Sequence, residues 1–452
     1  MFACTVSHQQ AEERPDPLFD PLAGTLDLGY RGLRRFSPEE YFSDAGRSLR
    51  TLQPADGAVH LRKLLITNNS LTELPSGESM PYLEYLDVSY NSLTQIPFYP
   101  RLVDLIASHN QIRRLDEYRG TATLSILDLS NNPLRSVPVI NLSELYLDGT
   151  PIDFLSLEEY PGLQCLTMRE SKIRTLGGTS ELVDLDVSGT ALDSLPSLRH
   201  MQYLKIDRTA IASLPILPSL LQLSCEDAPL KSVRNASLTH LWGSKSITEV
   251  TCPRLTHLYL SGCTSLRLDA PRLIELEAID CSILTLPRLD HLETLDLSHG
   301  GVQELILPDS IYLLSVRHNP LRRLSFYHIE GSTRRELYTL TMDWSTYRNV
   351  WKDIKIRALN LHQDGELLRQ NAAGRLTSSE LQTFLTLTNV LRIEKVEETC
   401  TKIALSIFKH RYHIGSYGSV QQIYQTDKFR KIFRLVSKLY SRCVWVNAQC
   451  QH

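Results

Sequence analysis

The sequence lacks the compact motifs that mark common enzyme classes. It holds no phosphate loop, no dinucleotide fingerprint, no HExxH and no GxSxG, so none of the short patterns that hold a nucleotide, a zinc ion or an activated serine is present. The last 120 or so residues also show no cysteine-centred catalytic pattern. No apolar run is long enough to cross a membrane. Met1 to Gln10 has neither the basic start nor the apolar core of a cleaved signal peptide. The nine cysteines are odd in number and scattered, without a CxxC or a terminal cluster, which fits the cytoplasm or another reducing compartment. Three glycosylation triplets begin at Asn68, Asn141 and Asn235, and they have meaning only in a secreted chain. These absences point away from catalysis, and we expect no enzyme, no cofactor and no metal.

What is present is one spacing of apolar residues, repeated. It runs Leu61, Leu64, Ile66, Asn69, Leu71, Leu74, Pro75, then Leu83, Leu86, Val88, Asn91, Leu93, Ile96, Pro97. Aligned on the first apolar position, fourteen copies start at Leu61, Leu83, Leu102, Leu124, Leu142, Leu163, Leu182, Met201, Leu220, Leu238, Leu255, Leu273, Leu292 and Ile311. The first, fourth and sixth positions alternate as a strand does, so each copy supplies one short strand with its apolar side chains on one face. No copy can bury that face alone, and stacking on neighbours closes a continuous core.

The ninth position follows the strand, where backbone groups need partners and an amide side chain both donates and accepts. Asn69, Asn91, Asn110, Asn132 and Asn319 stand there. Thr150, Ser171, Thr190, Thr209, Ser246, Cys263 and Cys281 replace them elsewhere, and Ala228 and Gly300 bring no donor, which predicts a weakened ladder through the middle. Cys263 and Cys281 are expected as small buried thiols in place of Asn, not as a disulfide. Repeats of about 19 residues are too short for a regular helix on the return side. Pro75, Pro97, Pro138, Pro196, Pro215 and Pro287 favour an irregular, extended one.

Residues 61 to 324 resemble the leucine-rich-repeat superfamily in this spacing. The resemblance implies an α/β repeat fold, a right-handed solenoid with a parallel β-sheet on its concave face and a mostly irregular convex side. Short Pro-ended copies such as Leu214-Pro215-Ile216-Leu217-Pro218-Ser219-Leu220 look like those of bacterial effector proteins, some of which carry a ubiquitin-ligase domain with a catalytic cysteine. Cys225-Glu226-Asp227 is superficially similar to that ligase motif, but Cys225 occupies an inward sixth position and is rejected as a nucleophile.

The remaining segments divide by composition. Residues 1–21 read as a polar arm and 22–60 as an N-terminal cap, with Leu26, Leu28, Leu33 and Phe36 keeping the spacing of a degenerate repeat and Ser37-Pro38-Glu39-Glu40 starting a helix. The solenoid takes 61–330. Residues 331–362 form a C-terminal cap, in which Leu337, Leu340 and Met342 make a last strand that closes the sheet under Trp344, Tyr347 and Trp351. A linker over 363–379 precedes a basic, mainly helical segment over 380–452, starting from a capping box at Thr377-Ser378-Ser379-Glu380. Its last helix carries Lys428, Arg430, Lys431, Arg434, Lys438 and Arg442 on a basic face. Charge is split, since residues 331–452 carry +9 and residues 1–330 carry −12.

Outward strand positions carry the binding expectation. Tyr203, His240, Trp242, His257 and Tyr259 bring aromatic and imidazole rings, and Asp184, Asp186, Asp207, Glu275 and Glu277 bring carboxylates. Aromatic anchors with flanking acids suit a basic protein partner. The chain thus reads as a non-enzymatic protein-protein interaction scaffold. Two alternatives are a structural subunit of a large viral or cytoskeletal assembly anchored by the basic C-terminal segment, and a substrate-recruiting adaptor or ubiquitin-ligase-like effector. The basic segment offers self-association, nucleic acid or membrane contact as further partners.

Overall fold

The computed structural model describes residues 19–20, 24–38, 61–118, 123–282, 286–329, 337–343, 356–362 and 391–392. The chain divides into two compact units, 1–231 and 232–452. In the first unit a parallel sheet runs through Thr25–Asp27, Lys63–Leu65, Tyr85–Asp87, Asp104–Ile106, Ile126–Asp128, Glu144–Tyr146, Cys165–Thr167, Asp184–Asp186, Tyr203–Lys205 and Gln222–Cys225. In the second, His240–Gly243, His257–Ser261, Glu275–Ile279, Thr294–Asp296, Leu313–Ser315, Leu337–Asp343 and Ile356–His362 pair in parallel, in that order. Every one of the fourteen copies therefore contributes its strand at the third to fifth positions. Each unit is a parallel β-solenoid.

Register follows from the fourth position. Leu64 pairs with Leu86, Leu86 with Leu105 and Leu105 with Leu127; in the second unit Leu241, Leu258, Leu276, Leu295 and Leu314 form the same row. All these leucines are buried, and a slip of one residue would turn the whole row outward.

The cap repeats the rule. Thr25–Asp27 pairs with Lys63–Leu65, and Leu26, Leu28 and Phe36 are buried. Phe19–Asp20, inside the expected arm, is itself a strand antiparallel to Thr25–Asp27. At the other end Leu337–Asp343 does not close the sheet, because Ile356–His362 pairs beyond it and Leu391–Arg392 pairs antiparallel to that strand. Backbone groups on the Leu337–Asp343 strand's free side would otherwise lack ladder partners. Glu39 and Glu40, Trp344, Tyr347 and Trp351, the 363–379 linker, the capping box and the basic helix with Lys428, Arg430, Lys431, Arg434, Lys438 and Arg442 lie outside the described residues. Among the described residues, no helix is long and apolar enough to cross a membrane.

The return side is more regular than expected. Short parallel strands form there at Phe154–Ser156 with Thr175–Gly177 in the first unit. The second unit has Ser232–Arg234, Glu249–Thr251 and Arg267–Asp269 together, and Glu304–Pro308 with Arg323–Tyr327. All of these strands fall in copies without proline at the fifteenth position, whereas among the described residues the copies holding Pro75, Pro97, Pro138, Pro196, Pro215 and Pro287 have none. Proline has no N–H for a ladder. Where it is absent, the return segments of neighbouring copies pair.

The ninth-position ladder has two qualities. The Asn110 Oδ1 accepts the Leu93 N–H at 2.9 Å, and its Nδ2 donates to the Val88, Ala107 and Ser108 carbonyls at 3.0, 3.2 and 3.2 Å. One amide thus ties two consecutive copies. Thr150, Thr190 and Thr209 each donate a single bond at 2.7 Å, to Leu147, Val187 and Ile206 within their own copy. The Ser171 hydroxyl is buried without a hydrogen-bond partner. Sulfur restores a bridge later, since the Cys263 N–H donates to Cys281 Sγ at 3.3 Å and Cys263 Sγ donates to the Ser244 carbonyl at 3.3 Å. Both thiols are free and buried.

One backbone feature escaped the sequence reading. The eighth position adopts a left-handed conformation in thirteen copies, ten of them without glycine, including Tyr90 at φ 58, His109 at φ 55 and Arg208 at φ 54. Such a conformation costs an ordinary L-residue about 1–2 kcal/mol. The turn out of the strand, which sends the ninth side chain inward, imposes it in copy after copy.

Candidate functional site

In the first unit the outward carboxylates are largely committed to the fold. Asp87 Oδ1 accepts the Ser89 N–H at 3.0 Å and the Ser89 hydroxyl at 2.7 Å. The Ser130 N–H reaches Asp128 at 2.8 Å, and the Ser188 N–H reaches Asp186 at 3.0 Å. Each Asp at the fifth position thereby staples the strand exit two residues on. Asp128 and Asp186 are buried. Burial pushes the Asp87 and Asp128 carboxyls up, against the lowering effect of their serine hydrogen bonds. Asp207 works similarly, taking the Ser224 hydroxyl and the Glu226 N–H, both at 2.7 Å. Of the sequence-predicted residues of this unit, Asp186 and Asp207 are thus structural caps. Asp184 and Tyr203 are half-buried neighbours on paired strands, with Asp184 pushed up by burial and drawn down by Lys205.

The second unit brings six predicted residues together on three consecutive strands. Register aligns His240, His257 and Glu275 in one row and Trp242, Tyr259 and Glu277 in the next. The two imidazoles stack with centroids 4.3 Å apart and planes 4° from parallel. Trp242 stacks on Tyr259 at 5.5 Å and 8°, and His240 lies 5.8 Å from Trp242. Strands about 4.8 Å apart produce this spacing directly. Because the rings stack along the sheet, they present their edges outward, and all six residues are half-buried.

Carboxylates continue both rows. Glu275 Oε2 lies 3.8 Å from His257 Nε2. Glu277 follows Tyr259 and pairs in register with Asp296; Asp296 is a stapled aspartate, holding the Ser298 N–H at 2.8 Å. Burial, then Asp296 and Glu275, push the Glu277 carboxyl up. Burial followed by the charges and hydrogen bond of Glu275 and Glu277 raises Tyr259. His240 is lowered by burial and by His257, partly offset by Glu275. Sequence reasoning missed Thr239 and Thr256, whose hydroxyls meet His240 Nδ1 at 3.0 Å and His257 Nδ1 at 2.8 Å. The signal was the repeated quartet Thr239-His240-Leu241-Trp242 and Thr256-His257-Leu258-Tyr259.

Among the described residues, no group of three or more His, Cys, Asp or Glu is placed to hold a metal ion. Cys225 is 1% exposed, and burial together with Asp207 and Glu226 pushes its thiol well above the ordinary range. A thiol held protonated in the core is not a nucleophile.

No family model matches the chain. A leucine-rich repeat protein of Acanthamoeba polyphaga mimivirus is 28% identical over 173 residues, covering 37% of this chain and 37% of that protein. Lumican from Mus musculus is 30% identical over 157 residues, covering 31% of this chain and 46% of lumican. The chain therefore spans less than half the length of either relative. Among solved structures, the leucine-rich effector YopM from Yersinia pestis matches with a TM-score of 0.52 at 23% identity, over 72% of this chain and 90% of that one. That likeness is one of fold.

Proposed function

We propose that the chain is a leucine-rich-repeat protein and a non-enzymatic scaffold that binds a basic protein partner on the strand face of its second unit. The observation that carries this reading is the stack of His240, His257, Trp242 and Tyr259, which runs directly into Glu275 and Glu277. Rings fixed against one another lose little entropy on binding, and adjacent acids steer a cationic surface while rejecting acidic ones. Asp184 and Tyr203 place an acid and a ring side by side on the strand face of the first unit.

A basic partner has one source in the chain itself. Lys402 to Arg442 carries nine basic residues against the single Asp427, so a second copy offers a self-associating partner. Such association weakens steeply as salt rises. The test places a photo-crosslinking amino acid at position 259 of the full chain, with a second at Val139 on the return side of the first unit as a control. Crosslinks at 259 that disappear in a Trp242→Ala background support the reading. Equal crosslinking at both positions, or indifference to Trp242→Ala, removes it.

A further inference from the structure

The two stacked imidazoles give the proposed surface a proton-dependent charge. Thr256 Oγ1 donates to the Thr239 carbonyl at 3.0 Å, so towards His257 Nδ1, 2.8 Å away, the hydroxyl oxygen serves as acceptor. Nδ1 is then the nitrogen that carries hydrogen in the neutral ring. This leaves the Nε2 lone pair facing Glu275 Oε2 at 3.8 Å. Two electron-rich atoms face each other, and one proton on Nε2 converts the contact into an ion pair.

Only one of the two rings faces the carboxylate. Two imidazolium rings 4.3 Å apart would repel each other strongly in a half-buried setting, and His240 lies away from the carboxylate, on the far side of His257. The charged and titratable groups around His257 are His240 on one flanking strand, Tyr259 on its own strand, and Glu275 and Glu277 on the other, with Asp296 one strand further. The balance is therefore acidic when both rings are neutral. A single proton cancels Glu275, the acid nearest the rings.

We infer that His257 and a cationic side chain of the partner compete for Glu275, so that the face binds a basic segment at neutral pH and releases it on mild acidification. Binding expels one proton and protonation expels the partner, through one carboxylate. The inference rests on the reading of this face as the binding surface and adds its regulation. The arrangement depends on the repeated Thr-His pair. Each threonine orients its imidazole, and the one-strand offset sets that imidazole against its neighbour.

The experiment uses the full chain and a fluorescein-labelled hexa-arginine peptide, titrated at about pH 7.5 and about pH 5.5 at constant low salt. The expected result is weakening on the order of tenfold at the lower pH, the loss caused by competition with one charge on one carboxylate. His257→Gln removes one ring of the stack and should bind more weakly than the wild type at the higher pH, but its affinities at the two pH values should be equal within about twofold. Titration calorimetry in two buffers of different ionisation enthalpy should show net proton release on binding for the wild type and none for His257→Gln. Tight binding with a flat pH profile, or a profile unchanged by His257→Gln, overturns the proton coupling and leaves the binding face intact. Binding insensitive to a Glu275→Gln, Glu277→Gln double variant, or no binding at either pH, overturns the binding face itself and the coupling with it.

Discussion

The strand faces of the two units place different chemistry at one repeat position. In the first unit the fifth position holds Asp87, Asp128 and Asp186, each followed two residues later by a serine whose N–H it accepts. In the second it holds Trp242, Tyr259 and Glu277 on consecutive strands, and Glu277 is followed by Ile279, which offers no side-chain donor. The same outward slot is a staple at Asp87, Asp128 and Asp186, as it is again at Asp296 in the second unit, and a presented group at Trp242, Tyr259 and Glu277. An acid on a repeat wall is therefore not in itself evidence of binding. The residue two places on decides whether the acid is already occupied.

The most severe way to break this comparison is to attack what the units share. Leu86→Ala in the first unit and Leu295→Ala in the second remove fully buried fourth-position side chains. Each is expected to cost about 2–5 kcal/mol, measured by urea denaturation of the full chain. Losses below about 0.5 kcal/mol at both sites would show that the register has been misplaced.

A smaller effect separates two stretches of the first unit. Asn110→Ala strands the Leu93 N–H of the preceding copy and removes one of the two amide donors to each of the Val88 and Ala107 carbonyls, which keep Asn91 and Asn132. Buried groups left without partners cost about 1–3 kcal/mol. Thr190→Ala loses one bond within its own copy, with an expected cost of about 1 kcal/mol. Hydrogen exchange should then open the Asn110 copies far more than the Thr190 copies. Equal opening would mean that the asparagines add nothing between copies.

Much of this was legible in the sequence. The start of every copy, the inward leucines, the asparagine ladder and its thinning at Thr150 to Thr209 follow from spacing and from hydrogen-bonding capacity. So does the ring cluster at His240, Trp242, His257 and Tyr259, because residues at one position of consecutive copies become strand neighbours. The dual use of aspartate was harder to see. Asp-x-Ser reads equally as a soluble face, and only the closing turn shows Ser188 reaching back to Asp186. The return strands were missed because proline was read for what it imposes and not for what its absence permits. The left-handed eighth position carried no glycine pattern to betray it, since tyrosine, histidine and arginine tolerate it there under the constraint of the neighbouring copies.

The finest distinction between the units is one of sign, and it concerns fifth-position acids. Asp87→Ala should destabilise by about 1 kcal/mol, because the Ser89 N–H and hydroxyl lose their acceptor. Glu277→Gln should do the reverse by a smaller amount. Among the described residues Glu277 has no hydrogen bond or ion pair, and burial with Asp296 and Glu275 holds its carboxyl above the ordinary value. A carboxyl raised on folding favours the native state while protonated. Its contribution is complete below the unfolded-state pKa and disappears as pH climbs through the folded-state pKa. At neutral pH the ionised Glu277 therefore works against folding, and an uncharged amide of the same shape relieves that cost. Thermal unfolding of the full chain should show a midpoint slightly above wild type for Glu277→Gln at about pH 7, with the two converging at about pH 4, where the wild-type carboxyl is itself protonated. A midpoint below wild type at neutral pH would mean that Glu277 holds the strand exit as Asp87 does, and the two faces would then differ in composition but not in kind.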